Sequence, residues 1–139
     1  MTTFRSTEKR IKARARDVYE FISDINNFDN LVPSERVRDF ESDQESCRFT
    51  IDGVGRVGVR IAEKHPVSYI VYESEGSAPF PFKLRVDLEE AGEKETLMKI
   101  ELNAKLNMMM KMLAKRPLAE GTETAASRLA DHLNQPRQA

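Results

Sequence analysis

The stretch Phe80-Pro81-Phe82-Lys83-Leu84-Arg85-Val86-Asp87-Leu88-Glu89 decides the fold class. Phe80, Phe82, Leu84, Val86 and Leu88 share one side of an extended chain, and Lys83, Arg85, Asp87 and Glu89 share the other. A period of two with this chemistry describes a strand that has one buried face and one wet face. The next segment repeats it: Met98, Ile100, Leu102, Ala104 and Leu106 oppose Lys99, Glu101, Asn103 and Lys105. Upstream, Cys47, Phe49 and Ile51 form another inward row, and so do Val57, Val59 and Ile61.

Working outward, the period-two segments cover 35–43, 46–52, 54–64, 67–76, 79–91 and 94–106. Gln44-Glu45, Gly53, His65-Pro66, Ser77-Ala78 and Gly92-Glu93 separate them, each too short for a crossover helix. Neighbouring strands are therefore expected to be antiparallel. A further polar strand is predicted over 2–12. In 14–25, Val18, Phe21, Ile22 and Ile25 fall at i, i+3, i+4 and i+7, the period of one helical face. Asn26 and Asn27 end that helix, and a short helical turn over 27–32 stops before Pro33.

The helical period returns at 107–133, where Leu118, Thr122, Ala125, Leu129 and Leu133 mark a stripe behind the N-cap candidate Asn107. Pro117 is expected to kink this helix or divide it. Residues 134–139 read as a disordered tail after a single domain over 1–133.

A chain of 139 residues is one ordinary domain, long enough to bury about two thirds of its unfolded surface. Lys and Arg total 22 against 23 Asp and Glu, which gives no reason to expect nucleic acid as a partner. Cys47 is the only cysteine, which excludes an internal disulfide and a thiolate metal cluster. Met1-Thr2-Thr3-Phe4-Arg5 lacks a signal-peptide core, and no apolar run is long enough to cross a bilayer. The expectation is a soluble, cytoplasmic protein without integral membrane contact.

A one-sided antiparallel sheet of about seven strands, two small helices after the first strand and a long final helix make an α+β domain. The sheet's apolar face must be buried under that last helix, over Phe49, Val59, Phe82 and Ile100. This layout resembles the helix-grip superfamily, also called START-like, polyketide-cyclase-like or SRPBCC, with its β-α-α-β6-α order. The residues that carry the resemblance are Val18-Tyr19-Glu20-Phe21-Ile22-Ser23-Asp24-Ile25-Asn26-Asn27, Pro79-Phe80-Pro81-Phe82 and Asn107-Met108-Met109-Met110-Lys111-Met112. They look most like a bacterial branch. The resemblance implies a curved sheet wrapped around the long helix and a cavity between them that holds a small hydrophobic or amphipathic molecule, lipid-like or polyketide-like. It also leaves open a cyclase- or dehydrase-type enzyme acting on a similar molecule, a protein-interaction module, and a homodimer.

The ligand-binding candidates are Phe49, Ile51, Val57, Val59, Phe82, Leu84, Ile100, Leu102, Met108, Met109, Met112 and Thr122. Met109 and Met112 share a helical side, and methionine makes an adaptable apolar wall. Gap-filling against the sheet, or a patch that touches a membrane or a second copy, are the other readings of this cluster. Lys111, Lys115 and Arg116 form a basic edge, either a solvated face or a site for an anionic head group. Gly53, Gly55 and Gly58 suggest a bend in the sheet, and Gly121 within the last helix suggests close packing or ligand space.

No catalytic residue stands out. Thr122, Tyr69 and Tyr72 are the inward polar candidates; Glu63, Asp39 and Glu41 follow inward phases but lie near strand ends, where they are expected to be solvated. His65 and His132 lack partners at metal-ligand spacing, so no metal and no cofactor are expected. Cys47 reads as a small buried hydrophobe.

Overall fold

The computed structural model describes residues 1–31, 35, 37–76 and 78–135. The chain runs through β1 (Thr2–Arg5), β2 (Lys9–Ile11), helix α1 (Ala15–Ile22), a short 3-10 helix (Ile25–Asn30), β3 (Val37–Ser42) and β4 (Ser46–Ile51). It continues with β5 (Gly55–His65), β6 (Tyr69–Ser74), β7 (Phe82–Gly92), β8 (Glu95–Ala104) and helix α2 (Met108–Asn134). The strands form one curved antiparallel sheet in the order β1-β8-β7-β6-β5-β4-β3, with β2 also paired to β8. This is the expected α+β helix-grip architecture. The short helical turn expected over 27–32 is the 3-10 helix; its last expected residue, Val32, lies outside the described residues, as do Pro33, Ser34, Arg36, Ser77 and 136–139.

The opening strand predicted over 2–12 is two strands. Ser6 breaks it, donating its N–H to the Ile100 carbonyl and accepting the Ile100 N–H on its hydroxyl, both at 2.9 Å. Elsewhere the register stacks the apolar rows as their alternation requires. Leu84 lies between Tyr72 and Leu102, Val86 between Ile70 and Ile100, and Phe49 opposite Val57.

Glu63, Asp39 and Glu41 are exposed, as expected from their places near strand ends, and two β-bulges are the cause, because one extra residue moves everything beyond it to the other face. Beyond the shift between Ile61 and Glu63, Glu63 pairs with Val71 and its carboxylate lies 3.6 Å from His65. Beyond the shift between Arg38 and Glu41, Glu41 pairs with Arg48 and reaches Arg56 at 3.2 Å. Asp39, in the bulge itself, takes a positive φ of 54° and is exposed.

Val18, Ile22 and Ile25 are fully buried, and each such side chain contributes about 1.5–3 kcal/mol relative to exposure. They seal one end of the inner face together with Ile11, Ile70, Tyr72 and Met98. Asn107 caps α2 as expected, its side chain accepting the Met110 N–H at 2.8 Å. Pro117 does not divide the helix, which is continuous from Met108 to Asn134. Its missing N–H leaves the Leu113 carbonyl without a helical partner.

The α2 backbone packs against β1, β2 and β8 rather than across the whole sheet. Ala126, Leu129 and Ala130 of α2 join the same buried cluster as Val59 and Ile100, whereas Phe49 and Phe82 are only half-buried. Two polar clamps fix the helix there. The Glu123 carboxylate accepts from the Thr7 N–H (2.8 Å), the Thr7 hydroxyl (2.9 Å) and Lys9 Nζ (2.6 Å). Asn134 accepts from the Lys12 N–H at 2.6 Å and donates to the Arg10 carbonyl at 3.1 Å. Asn134 is the last residue of α2.

Candidate functional site

The inner face is finished differently at its two ends. At the α1 end it is closed by fully buried side chains. At the other end β4 runs out at Ile51 while β7 begins at Phe82, and the inward side chains Phe49, Ile51, Phe82 and Leu84 are half-buried. Phe40 stacks on Phe49 with ring centroids 6.0 Å apart. Phe80, buried beneath this rim, packs with Phe4, Leu102, Ala104 and Ala114, and Met110 and Leu118 of α2 lean on the same cluster. The β4–β5 turn shapes the rim. Gly55 has φ 122°, and a Cβ there would stand 3.3 Å from Pro79, a conformation and an approach that favour glycine.

Of the residues expected to line a cavity, Val57, Val59, Ile100, Leu102 and Thr122 are buried, and Phe49, Ile51, Phe82 and Leu84 form the half-buried rim. Met108, Met109 and Met112 do not line the interior. They are 83%, 71% and 83% exposed. Ala114 faces the core, and Met112, two residues earlier, is rotated about 200° around the helix from it. Met109 and Met112 do share a side, and that side faces away from the sheet. Only Met110 of the cluster packs inward.

The polar candidates are internally satisfied or elsewhere. The Thr122 hydroxyl donates to the Leu118 carbonyl in its own helix at 2.7 Å. The Tyr72 hydroxyl donates to the Ile22 carbonyl at 2.6 Å, and burial raises its pKa well above the ordinary tyrosine value. Tyr69 is not on the inner face: it pairs with Asp87, stacks on His65 at 4.1 Å and lies 3.8 Å under the Arg85 guanidinium. Cys47 is buried as expected, and desolvation pushes its thiol up to about 12, with Glu75 and Asp43 nearby adding to the shift. Gly121 is exposed with open space where a Cβ would point, so close packing does not explain it.

Among the described residues no group of three His, Cys, Asp or Glu side chains is arranged to hold a metal ion. Two surface depressions, of about 450 and about 320 Å³, are lined mainly by polar groups such as Asp43, Glu45 and Arg60 in one and Glu8, Asp87 and Lys99 in the other. Neither includes Phe49, Ile51, Phe82 or Leu84.

Alternation missed Phe40 because the bulge at Asp39 hides its phase. The Glu123 clamp had no sequence signal, its partners Thr7 and Lys9 lying 116 and 114 positions away.

No protein-family profile matches the sequence, and no curated protein matches it. Solved structures do match. A START superfamily protein from Mycobacterium smegmatis superposes with a TM-score of 0.67 at 15% identity, covering 96% of this chain and 97% of its own. The di-domain ARO/CYC protein BexL of the BE-7585A biosynthetic pathway gives 0.70 at 13% identity, over 94% of this chain and 46% of its own. A Thalictrum norcoclaurine synthase gives 0.70 at 10% identity, over 95% and 93%. The likeness is one of fold: the chain has the START-like helix-grip fold. Among the described residues no helix is long and apolar enough to cross a membrane.

Proposed function

We propose that this chain binds a small hydrophobic or amphipathic molecule at the open end of the inner sheet face, between the rim and α2. The observation that carries the reading is the half-burial of Phe49, Ile51, Phe82 and Leu84, four large side chains that point inward against the core yet remain partly open to solvent. An apolar ligand seated there would remove that surface from water, at about 25 cal/mol per Å². The START superfamily, cyclase and synthase names of the structural neighbours are compatible with such a ligand. Binding is favoured over catalysis because the Thr122 and Tyr72 hydroxyls are committed to backbone carbonyls and the bulges turn Glu41 and Glu63 outward.

Native mass spectrometry of the protein purified from the cells that make it tests the proposal. The expected result is a mass excess from a non-covalent small molecule that is lost in Leu84→Glu. A wild type that carries nothing, or an adduct that Leu84→Glu retains while staying folded, would count against it.

A further inference from the structure

The segment from Lys105 to Ala119 contains Lys105, Lys111, Lys115 and Arg116 and no acidic residue, in a chain whose net charge is -1. Within it Met108, Met109, Met112 and Leu113 are 83%, 71%, 83% and 60% exposed. Met109, Met112, Leu113 and Arg116 stand at i, i+3, i+4 and i+7, one side of α2. Among the described residues none of the four cations is ion-paired. A solvated helical face has no need of four exposed large apolar side chains. A protein core has no need of the cations.

We propose that the first turns of α2 dock the protein peripherally on a lipid surface bearing anionic head groups. Long apolar side chains that enter the head-group boundary, among lysines and arginines that meet its negative charge, are the two contributions that hold an interfacial helix. Charge complementarity selects this occupant over a second copy. A two-fold contact through this side would crowd Arg116 and the flanking Lys115 of the two copies together, where like charges repel. The flexible methionines suit an irregular, fluid surface. Docking of this kind is independent of whether a ligand occupies the interior, because Met108, Met109 and Met112 take no part in the rim.

Co-sedimentation with vesicles tests it, using pure phosphatidylcholine and an equal mixture of phosphatidylcholine and phosphatidylglycerol. The full chain is expected to sediment with the mixed vesicles, weakly or not at all with the neutral ones, and less as salt rises. Met109→Ser/Met112→Ser/Leu113→Ser should reduce partitioning by at least about tenfold through lost apolar burial. Lys111→Gln/Lys115→Gln/Arg116→Gln should reduce it by about twenty-fivefold, Lys115 and Arg116 each being worth about fivefold near an anionic surface while Lys111 projects away from it. All six side chains are exposed, so both variants should keep the wild-type circular dichroism and unfolding midpoint; should one fail to fold, the other and the salt series still decide. No sedimentation with mixed vesicles, or full binding by either folded variant, would overturn the proposal. So would light scattering that finds a dimer which the serine variant converts to monomer.

Discussion

The Tyr72 hydroxyl donates a 2.6 Å hydrogen bond to the backbone carbonyl of Ile22, and both side chains are fully buried. This bond ties the middle of the sheet to the end of α1, where a helix leaves carbonyls unsatisfied. Tyr72→Phe removes the donor and strands a buried acceptor, a change of about 1–3 kcal/mol. Urea unfolding should show that loss. Thr122→Val, which removes only a hydroxyl bond inside its own helix, should cost less.

The Glu123 clamp makes an acid-sensitive contribution. Hydrogen bonds from Lys9 and Thr7 hold its carboxyl at about 2, below the ordinary 4.5. A carboxylate with a lowered folded pKa stabilises above its unfolded value, so the contribution is complete above pH 4.5 and is lost as pH falls from there towards 2. The side chain is 40% exposed, and solvent screening limits the contribution to about 1 kcal/mol or less. Glu123→Gln should lower the neutral-pH unfolding midpoint slightly and flatten the fall in stability over that acid window. A wild-type slope in the variant would place the acid sensitivity elsewhere.

Gly121 sits mid-helix in open space, with nothing within 4 Å of the position a Cβ would take. Gly121→Ala should therefore stabilise the fold by about 1 kcal/mol, since glycine's backbone freedom is its only cost there. Thermal unfolding reads the gain. A loss would mean that a bound molecule or a hidden contact uses the space.

Cys47 combines burial with a thiol pushed up to about 12. Iodoacetamide should label it at least about tenfold more slowly in the native protein than in urea, because the thiolate is the reactive species. Rapid native labelling would show that the β4–β5 face opens.

The fold was legible because Phe82, Leu84, Val86 and Leu88 report a strand through their own spacing, and Val18, Ile22 and Ile25 report a helix through theirs. Periodicity works while the backbone is regular. It failed where one extra residue entered a strand: the bulge near Asp39 concealed Phe40, and the bulge after Ile61 turned Glu63 to solvent. It failed again on α2, because a spacing shows that Met109 and Met112 share a side without showing which side meets the sheet. The buried row through Ala114 answers that, and alanine carries too little hydrophobic signal to announce it. Of the candidate site, Phe49, Ile51, Phe82 and Leu84 could be read from alternation. Their half-burial could not, since it depends on α2 lying over β1, β2 and β8.

The central claim, an apolar molecule held at the rim, is met most directly by a reporter placed there. The chain has no tryptophan, so Phe82→Trp supplies a single fluorophore on the inner face and Lys83→Trp a control on the outer one. Each variant is titrated with an organic-solvent extract of the cells that make the protein. The account predicts a saturable blue shift in emission from Phe82→Trp and none from Lys83→Trp. An unchanged Phe82→Trp spectrum, or equal shifts at both positions, would contradict it.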